Sequence, residues 1–319
     1  MVFICLATAF AFSNILNCNV ANSVKPINIT NAINQNTVTT AIEPSNVVNA
    51  VKQNNVKNTV KQNTVTLPII MYHSVLNSKT GTYIVSCKQL QSDLDRLKVD
   101  GYQTVLPSQV IDYVYFGGTL PQKPILITFD DGYYNNFYYA KDIFVKNNAK
   151  AVINVVGKFS ERTVDSNERL NPHYSHLTWQ NMQAMAGSGN FEFGNHTYDM
   201  HRQSPRFGIG QMKGESAENY KNILIADTLK LKSKLQSLGI STEVYAYPFG
   251  KYNDTARETL KSLGYKMLFT CNEGINIITC GKPKCLECLF RINRSGAYST
   301  DDLMRQITHP QKIGGVAIS

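Results

Sequence analysis

From residue 67 onward, short apolar runs alternate with segments whose apolar residues recur at helical spacing. The runs typical of strands lie at 67–74, 102–106, 125–129, 151–157, 191–194, 244–248, 266–270 and 289–293. The helical segments lie at 88–99, 107–116, 138–148, 179–186, 219–238 and 255–263. This alternation predicts an α/β fold with a parallel sheet, and seven or eight units favour a barrel. In a parallel barrel the chemistry collects at the carboxyl ends of the strands.

The N-terminal residues 1–21 are mostly apolar, but Asn14, Asn17 and Asn19 interrupt them, so they are short for a membrane span. The small residues of Asn19–Ala21 offer a signal cleavage site, although the usual basic start is missing because the first charged residue is Lys25. The pattern predicts a truncated secretory signal peptide, with a cytosolic helix as the alternative.

Residues 22–66 have a different composition, rich in Asn, Thr, Val and Lys, and they repeat Gln-Asn-Thr-Val at 35–38 and 62–65. They include no Phe, Tyr or Trp, so they cannot bury enough apolar surface to offset their chain entropy. We therefore predict a disordered linker at 22–66 and a folded domain at 67–319. An Asn-rich β-repeat is the alternative, but it is too short to stack a core.

One strand-like run ends in two adjacent carboxylates, Asp130 and Asp131, followed by Gly132. Two like charges at the end of a buried strand are costly unless a positive group lies beside them. The pair therefore indicates a metal site or a catalytic site. A solvated acidic turn is the alternative, since Asp-Asp-Gly is also a common turn sequence.

Two histidines, His196 and His201, follow another predicted strand and stand five residues apart. On a helix this spacing would separate them by roughly 140°, and the helical metalloprotease pattern needs a spacing of four. In a loop both imidazoles can reach one ion, and two histidines with one carboxylate are a usual catalytic zinc set. Two unrelated surface histidines are the alternative.

Composition adds one constraint on partners. The hydrophobic content of 43% and the charged content of 17% are globular values, and the net charge is +9. A basic chain suits an anionic partner such as a cell-envelope surface. The basic residues are scattered and no helix-turn-helix, zinc-finger or RNA-binding signature occurs, so we predict no nucleic-acid partner.

The combination of Thr128–Gly132, His196–His201 and Tyr247–Gly250 resembles the polysaccharide deacetylase family, the NodB-type carbohydrate esterases. The resemblance covers residues 67–308 and is closest to the branch of exopolysaccharide (poly-N-acetylglucosamine) deacetylases. It implies a distorted, incomplete (β/α) barrel. It also implies that Asp131, His196 and His201 bind one divalent ion, Zn²⁺ in the first place, with Co²⁺, Ni²⁺ or Fe²⁺ as alternatives.

The resemblance also implies catalytic roles. Asp130 would be the general base for the attacking water, and the backbone N–H of Phe249 would stabilise the oxyanion. His73, at the end of the first strand, would be the general acid; a core histidine that caps the strand is the alternative. The chain departs from the family at Ala246, where an arginine that orients the base is usual, and Arg291 or Arg294 could take its place.

Three further residues are predicted to contact substrate: Tyr133, Tyr247 and Pro248. The predicted function is a metal-dependent hydrolase that removes N-acetyl groups from N-acetylglucosamine-containing polysaccharide, either peptidoglycan or exopolysaccharide, by metal-activated water attack. The alternatives are an esterase on another acetylated glycan, such as acetyl-xylan or a chitooligosaccharide, and an inactive carbohydrate-binding relative. We expect a monomer that is secreted or associated with the cell envelope.

Four of the seven cysteines cluster near the C-terminus, at positions 271, 280, 285 and 288. They are predicted to staple a loop, either as two disulfides or as a structural zinc site, and a secreted chain favours disulfides.

Overall fold

A curled parallel sheet organises the chain in the computed structural model, which describes residues 63–310 and 313–314. Its strands are β2 (Ile69–Tyr72), β5 (Gln103–Val105), β6 (Pro124–Phe129), β7 (Ala151–Val155), β8 (Phe191–Asn195), β9 (Val244–Ala246), β10 (Met267–Phe269) and β12 (Ile292–Asn293). They run in the order β10-β9-β8-β7-β6-β2-β12, with β5 beside the start of β6, and every pair is parallel. The sheet forms a half-barrel, which confirms the predicted distorted, incomplete (β/α) barrel.

Eight α-helices surround the sheet in the described part of the chain. They are α1 (Cys87–Val99), α2 (Pro107–Phe116), α3 (Lys141–Lys146), α4 (Gly157–Asp165), α5 (Trp179–Ala186), α6 (Ala217–Gln236), α7 (Asp254–Ser262) and α8 (Thr300–Thr308). Several begin where the sequence offers a cap: Ser86 and Thr178 each form a capping box with the residue three positions later. No helix among these has the length and apolar composition needed to cross a membrane.

Two small sheets complete the fold. Strand β1 (Thr64–Leu67) pairs antiparallel with β11 (Ile275–Thr279), which also pairs with β13 (Ile313–Gly314), and β3 (Ser74–Leu76) pairs with β4 (Ile84–Ser86). The predicted linker boundary at 66 therefore needs correction, because residues 64–66 belong to β1. Their hydrogen bonds with β11 satisfy backbone groups that we expected to be exposed to solvent in a disordered linker. The predicted signal segment and residues 22–62 of the linker lie outside the described residues.

Burial explains why β6 is central. All six of its residues are buried, because alternate side chains enter two different apolar clusters: Ile125, Ile127 and Phe129 on one face and Leu126 on the other. Since all neighbours of β6 are parallel to it, the residues after β2, β6, β8 and β9 emerge at one edge of the sheet. The sequence-predicted site residues follow these four strands.

Candidate metal centre

The two adjacent carboxylates separate because the strand ends directly before them. Strand β6 stops at Phe129, and the backbone of Asp131 and Gly132 turns into the left-handed region, with φ of 69° and 68°. A Cβ on Gly132 would lie 2.9 Å from Val155 Cγ1, so glycine is needed at this turn for both conformation and space. The turn sends Asp131 to the histidines and leaves Asp130 with a buried arginine.

Asp131, His196 and His201 form the one group of three or more potential ligands that the described residues bring together, with one donor atom from each within 4.8 Å of the others. Asp131 Oδ1 lies 3.7 Å from His196 Nε2 and 3.2 Å from His201 Nε2. Ligand atoms around a tetrahedral Zn²⁺, bound at about 2.0–2.1 Å, lie roughly 3.3 Å apart. The spacing of the three donors therefore suits a small divalent ion.

The protonation state of His196 also suits a metal ligand. Its Nδ1 lies 2.8 Å from the carbonyl oxygen of Ala246, which can only accept, so Nδ1 carries the hydrogen and the lone pair is on Nε2. Burial lowers the pKa of His196 to about 4, although the charge of Asp130 opposes that shift. The imidazole is therefore neutral near pH 7 and presents its lone pair towards Asp131.

A partly buried carboxylate on α6 fixes the loop between the two histidines. Asp227 accepts hydrogen bonds from the backbone N–H groups of Tyr198 (2.8 Å) and Asp199 (2.7 Å). Asn195 supports the same loop by accepting from the N–H of Thr197 at 2.8 Å. Sequence reasoning missed Asp227, since nothing in an amphipathic helix shows which polar residue faces inward.

Asp130 is paired with Arg291, and both side chains are almost completely buried. Arg291 Nη1 donates to Asp130 Oδ1 and Nη2 to Oδ2, each at 2.7 Å, while Asn154 Nδ2 donates to Oδ1 at 2.7 Å. Arg291 Nε in turn donates to the Thr270 carbonyl oxygen at 2.7 Å. Although burial raises the pKa of Asp130, the charge of Arg291 holds it well below its ordinary value.

Arg291 and Arg294 were the two candidates for the arginine that the family usually places beside Asp130. Arg291 is the one that contacts Asp130. Arg294 lies three residues further on and pairs with Asp93 instead, with Nε 2.7 Å from Asp93 Oδ2. Position 246 is an alanine buried in the sheet, and the guanidinium beside Asp130 comes from Arg291, 161 positions further along the chain than Asp130.

His73 follows β2 at the same edge, and its ring packs on Tyr83 with centroids 4.8 Å apart. A protonated His73 would lie near enough to Asp130 and Asp131 to lower the pKa of both carboxyl groups. Its Nδ1 is buried without a hydrogen-bond partner among the described residues. His73 therefore packs on Tyr83 beside the two carboxylates, and no hydrogen bond within the described residues fixes its Nδ1.

The Pro-Phe turn after β9 packs against the metal centre. Phe249 has a left-handed φ of 56°, and its ring lies 4.4 Å from His201 and 4.9 Å from Phe207 between centroids. Tyr247 and Pro248 are buried, with the Tyr247 ring inside an apolar cluster. The turn directs both side chains into the core, so a contact of Tyr247 or Pro248 with substrate stays a prediction.

Tyr133 remains at the site. Its ring stacks on His176 with centroids 5.0 Å apart and an angle of 24°. Burial, the charge of Asp131 and a hydrogen bond to Asp131 raise the pKa of Tyr133 to about 12, so the phenol stays protonated. Sequence reasoning missed His176, which pairs with Tyr133 through a short antiparallel bridge.

The predicted cysteine staple does not form: Cys87, Cys271, Cys280, Cys285 and Cys288 are all free. No group of zinc-ligand spacing includes a cysteine in residues 63–310. Cys271 lies beside Arg291, with its Sγ 3.8 Å from Nη2. Cys285 Sγ instead forms hydrogen bonds with the backbone N–H and carbonyl oxygen of Thr279. Cys271 precedes β11 and the other three cysteines of the cluster follow it, so residues that are close in sequence have different neighbours.

Comparison with known proteins finds relatives in both sequence and structure. The family model for polysaccharide deacetylases matches residues 117–268. YxkH of Bacillus subtilis, a protein assigned to the polysaccharide deacetylases, is 30% identical over 208 residues, which are 65% of each chain. The poly-beta-1,6-N-acetyl-D-glucosamine N-deacetylase of Escherichia coli is 26% identical over 227 residues, covering 65% of this chain but 34% of that protein. The chain therefore spans about a third of the length of the Escherichia coli relative.

Two solved structures have the same fold. The Streptococcus pyogenes deacetylase PplD, in complex with acetate, has a TM-score of 0.61 and 26% identity, covering 76% of this chain and 98% of PplD. IcaB from Ammonifex degensii has a TM-score of 0.63 at 24% identity and covers 78% of this chain and 98% of IcaB. Residues 117–268 of this chain are therefore similar in sequence to the polysaccharide deacetylases, and the described fold is similar to those of PplD and IcaB.

Proposed function

We propose that this protein is a metal-dependent hydrolase that removes N-acetyl groups from N-acetylglucosamine units of a polysaccharide. The observation that carries the proposal is the position of three neutral or anionic donors, on Asp131, His196 and His201, next to a second carboxylate on Asp130. A metal site with only a structural role would not need a second carboxylate beside its ligands. Burying such a charge is costly, so its presence favours a catalytic role.

The donor set fits Zn²⁺ best, since one carboxylate and two imidazoles leave positions open for water and substrate. Co²⁺, Ni²⁺ and Fe²⁺ suit the same donors and remain alternatives. When bound, the ion would supply Lewis acidity to the water and to the carbonyl oxygen of the acetamide. The hydrogen bond from His196 Nδ1 to the Ala246 carbonyl oxygen would fix the orientation of the imidazole towards that ion.

Asp130 is the proposed general base. A carboxylate has about four lone-pair sites, and Asp130 uses two on Oδ1 and one on Oδ2 within the described residues. One site on Oδ2 is therefore left to take a proton from water. Arg291 lowers the basicity of Asp130, which favours rapid return of the proton after it has been taken from water. The two hydrogen bonds from Arg291 also fix the orientation of the carboxylate.

His73 is the proposed general acid for the leaving amine. Its unpartnered Nδ1 and its proximity to both carboxylates support this role. The backbone N–H of Phe249 is the proposed oxyanion donor, supported by the left-handed turn that packs Phe249 on His201. Tyr133, which lies beside Asp131, is proposed to contact the substrate.

The relatives named for poly-beta-1,6-N-acetyl-D-glucosamine favour an exopolysaccharide of acetylated glucosamine as the substrate, with peptidoglycan second. We propose a location outside the cytoplasm, at or beyond an anionic envelope surface, which rests on the apolar N-terminal segment and the charge of +9. The proposed signal peptide, linker and monomeric state rest on the sequence alone.

The test is release of acetate from purified acetylated glucosamine polymer, from purified peptidoglycan and from acetyl-xylan, with added Zn²⁺ and after chelation. The proposal expects release from at least one glycan, loss on chelation and return on addition of the ion. Release only from acetyl-xylan would support the esterase alternative. Binding of glycan without release of acetate from any substrate would support an inactive relative.

A further inference from the structure

Two adjacent asparagines, Asn135 and Asn136, are completely buried and have no part in the chemistry proposed above. Asn136 begins a short π-helix, Asn136–Ala140, which a hydrogen bond from the N–H of Lys141 to the carbonyl oxygen of Asn136 closes, and Asn135 directly precedes it. π-Helical turns are rare, and they occur frequently at functional sites. Burying a side-chain amide is costly unless it is hydrogen-bonded, so the partners of these two amides show what they hold in place.

Both side chains bind the turn that carries His73, which lies between β2 and β3. Asn136 Nδ2 donates to the carbonyl oxygen of His73 at 2.9 Å. Asn135 Oδ1 accepts from the N–H of Val75 at 3.0 Å, and Asn135 Nδ2 donates to Ser74 Oγ at 2.8 Å. The two amides therefore hold three consecutive residues, of which the first is His73.

The same network connects the His73 turn to Asp130. The N–H of Asp130 donates to the carbonyl oxygen of Tyr72 at 3.0 Å, directly before His73. Asn135 Nδ2 also donates to the carbonyl oxygen of Pro172 at 2.9 Å, which fixes the asparagine from its other side. Residues 130–136 therefore carry the proposed base, one of the metal donors and both asparagines that hold the proposed acid.

The ring of His73 depends on this backbone for its position. It packs on the ring of Tyr83, which exposes 56% of its surface, and its Nδ1 has no hydrogen-bond partner among the described residues. A ring that no hydrogen bond anchors takes its place from the backbone to which it is attached. The contacts of the His73 carbonyl oxygen and of Ser74 and Val75 therefore decide where the imidazole lies.

The stability of the fold does not by itself account for Asn136. Its Oδ1 is buried and accepts no hydrogen bond within the described part of the chain. Leaving a buried polar atom unsatisfied costs free energy, whereas an apolar side chain of similar shape can be nearly neutral. The presence of an asparagine here favours a role in placing His73.

Resting on the proposed function, we propose that Asn135 and Asn136 are positioning residues for His73. They hold its backbone so that the imidazolium gives its proton to the amine nitrogen as the C–N bond breaks, which leaves His73 neutral. They act through His73 and have no role in the attack of water.

The first test measures kcat of the zinc-loaded full chain on two substrates. The amine of an N-acetylglucosamine hexamer needs a proton to leave, whereas the phenolate of an activated aryl acetate does not. Asn135→Ala and Asn136→Ala should each lower kcat on the hexamer by about 10–100-fold, the cost of a small misplacement, and kcat on the aryl acetate far less. Equal losses on the two substrates in both variants would overturn the proposal.

Asn276→Ala is the matched control. Asn276 is also buried, and its amide also binds backbone: it donates to the carbonyl oxygen of Phe290 and accepts from its N–H, each at 2.9 Å. A variant that only loosens the fold lowers both rates together, so Asn276→Ala should keep the wild-type ratio of the two rates. If it changes that ratio as much as Asn136→Ala does, the effect is structural and the proposal fails.

The second test is a double-mutant cycle between Asn136 and His73. If Asn136 acts through His73, Asn136→Ala should cause little further loss on the hexamer once His73 is replaced by alanine. Losses that add in full would show that Asn136 acts elsewhere, which would overturn the proposal.

Nuclear magnetic resonance tests the position of His73 without turnover. The chain has six histidines, and the imidazole signal that is lost in His73→Gln is that of His73. At constant pH, Asn136→Ala should shift or broaden this signal and leave that of the exposed His309 unchanged. Ser74→Ala removes only the hydroxyl that Asn135 binds, so it should shift the signal less and serves if the asparagine variants do not fold.

The two kinds of measurement separate the proposals. If the wild-type chain cleaves no acetylated glycan, the proposed function fails, whereas the His73 signal still reports on the asparagines. An unchanged His73 signal in the folded variants would overturn the positioning role whatever the activity is.

Discussion

Two buried arginine–aspartate pairs, formed by arginines three residues apart, differ in how completely the carboxylate is satisfied. Asp93 accepts four hydrogen bonds: two from Arg294, one from the Tyr72 hydroxyl at 2.9 Å and one from Thr300 Oγ1 at 2.6 Å. Asp130 accepts three, of which two come from Arg291.

A saturated carboxylate has no lone pair for a proton, whereas Asp130 keeps one on Oδ2. The Arg294 pair is therefore suited to joining α1 to the residue after β12 and to α8, and the Arg291 pair to holding the proposed base in place. Both pairs are buried and both carboxylates are paired with an arginine, so neither property distinguishes them. The number of hydrogen bonds that each carboxylate accepts does. The predictions below test this difference, starting from the largest expected effect.

Asp130→Asn should lower kcat by about 10²–10⁴-fold, because the amide cannot take a proton from water. The bound metal should remain, since Asp130 is not one of the three donors. Both are measured by acetate release and by metal content of the same sample. Asp93→Asn is the matched control, and an equal loss of kcat in that variant would contradict the distinction between the two pairs.

His73→Ala should slow cleavage of the amide by roughly 10²-fold or more, because the amine leaves poorly without a proton. Cleavage of an activated aryl acetate should fall far less, since its leaving group needs no proton. The measurement is the ratio of the two rates in wild type and variant. Equal losses on both substrates would exclude His73 as the acid.

Asp93→Asn should destabilise the fold by about 3–5 kcal/mol, since it leaves the Arg294 charge buried without its partner. Denaturant unfolding measures this free energy, and kcat of the folded protein should fall far less than in Asp130→Asn. Undiminished stability would show that the saturated pair does not join the elements it contacts.

Asp227→Asn should weaken metal binding by about 10–100-fold, the range usual for residues that orient ligands. The amide replaces one acceptor by a donor that faces the N–H of Tyr198 or Asp199, so the loop between the histidines loosens. Titration with Zn²⁺ followed by calorimetry measures the affinity. Asp165→Asn, on α4, is a control, and equal affinities in wild type and Asp227→Asn would contradict the positioning role.

Sequence periodicity predicted most of the sheet and helices because buried strands and amphipathic helices carry local patterns. The helix at 179–186 was predicted with the observed bounds, and 107–116 likewise. Helix α4 was missed because it starts at a glycine and buries little apolar surface. Helix α8 could have been found from Ser299, which forms a capping box with Asp302.

The candidate site was predictable where its residues follow strands, as Asp130, Asp131, His196 and His73 do. The partner of Asp130 was left open between two arginines, since a contact across 161 positions depends on how the sheet closes. The burial of the Tyr247 side chain and the failure of the predicted cysteine staple have a related reason. Sequence proximity places residues in one turn, but the turn decides which of them face the core.

The most direct test of the central claim is anomalous diffraction at the zinc edge from crystals of the zinc-treated protein. The account predicts a single strong peak at about 2.0–2.1 Å from His196 Nε2, His201 Nε2 and an Asp131 oxygen. A peak elsewhere, or no peak near these three side chains at full zinc occupancy in solution, would contradict it.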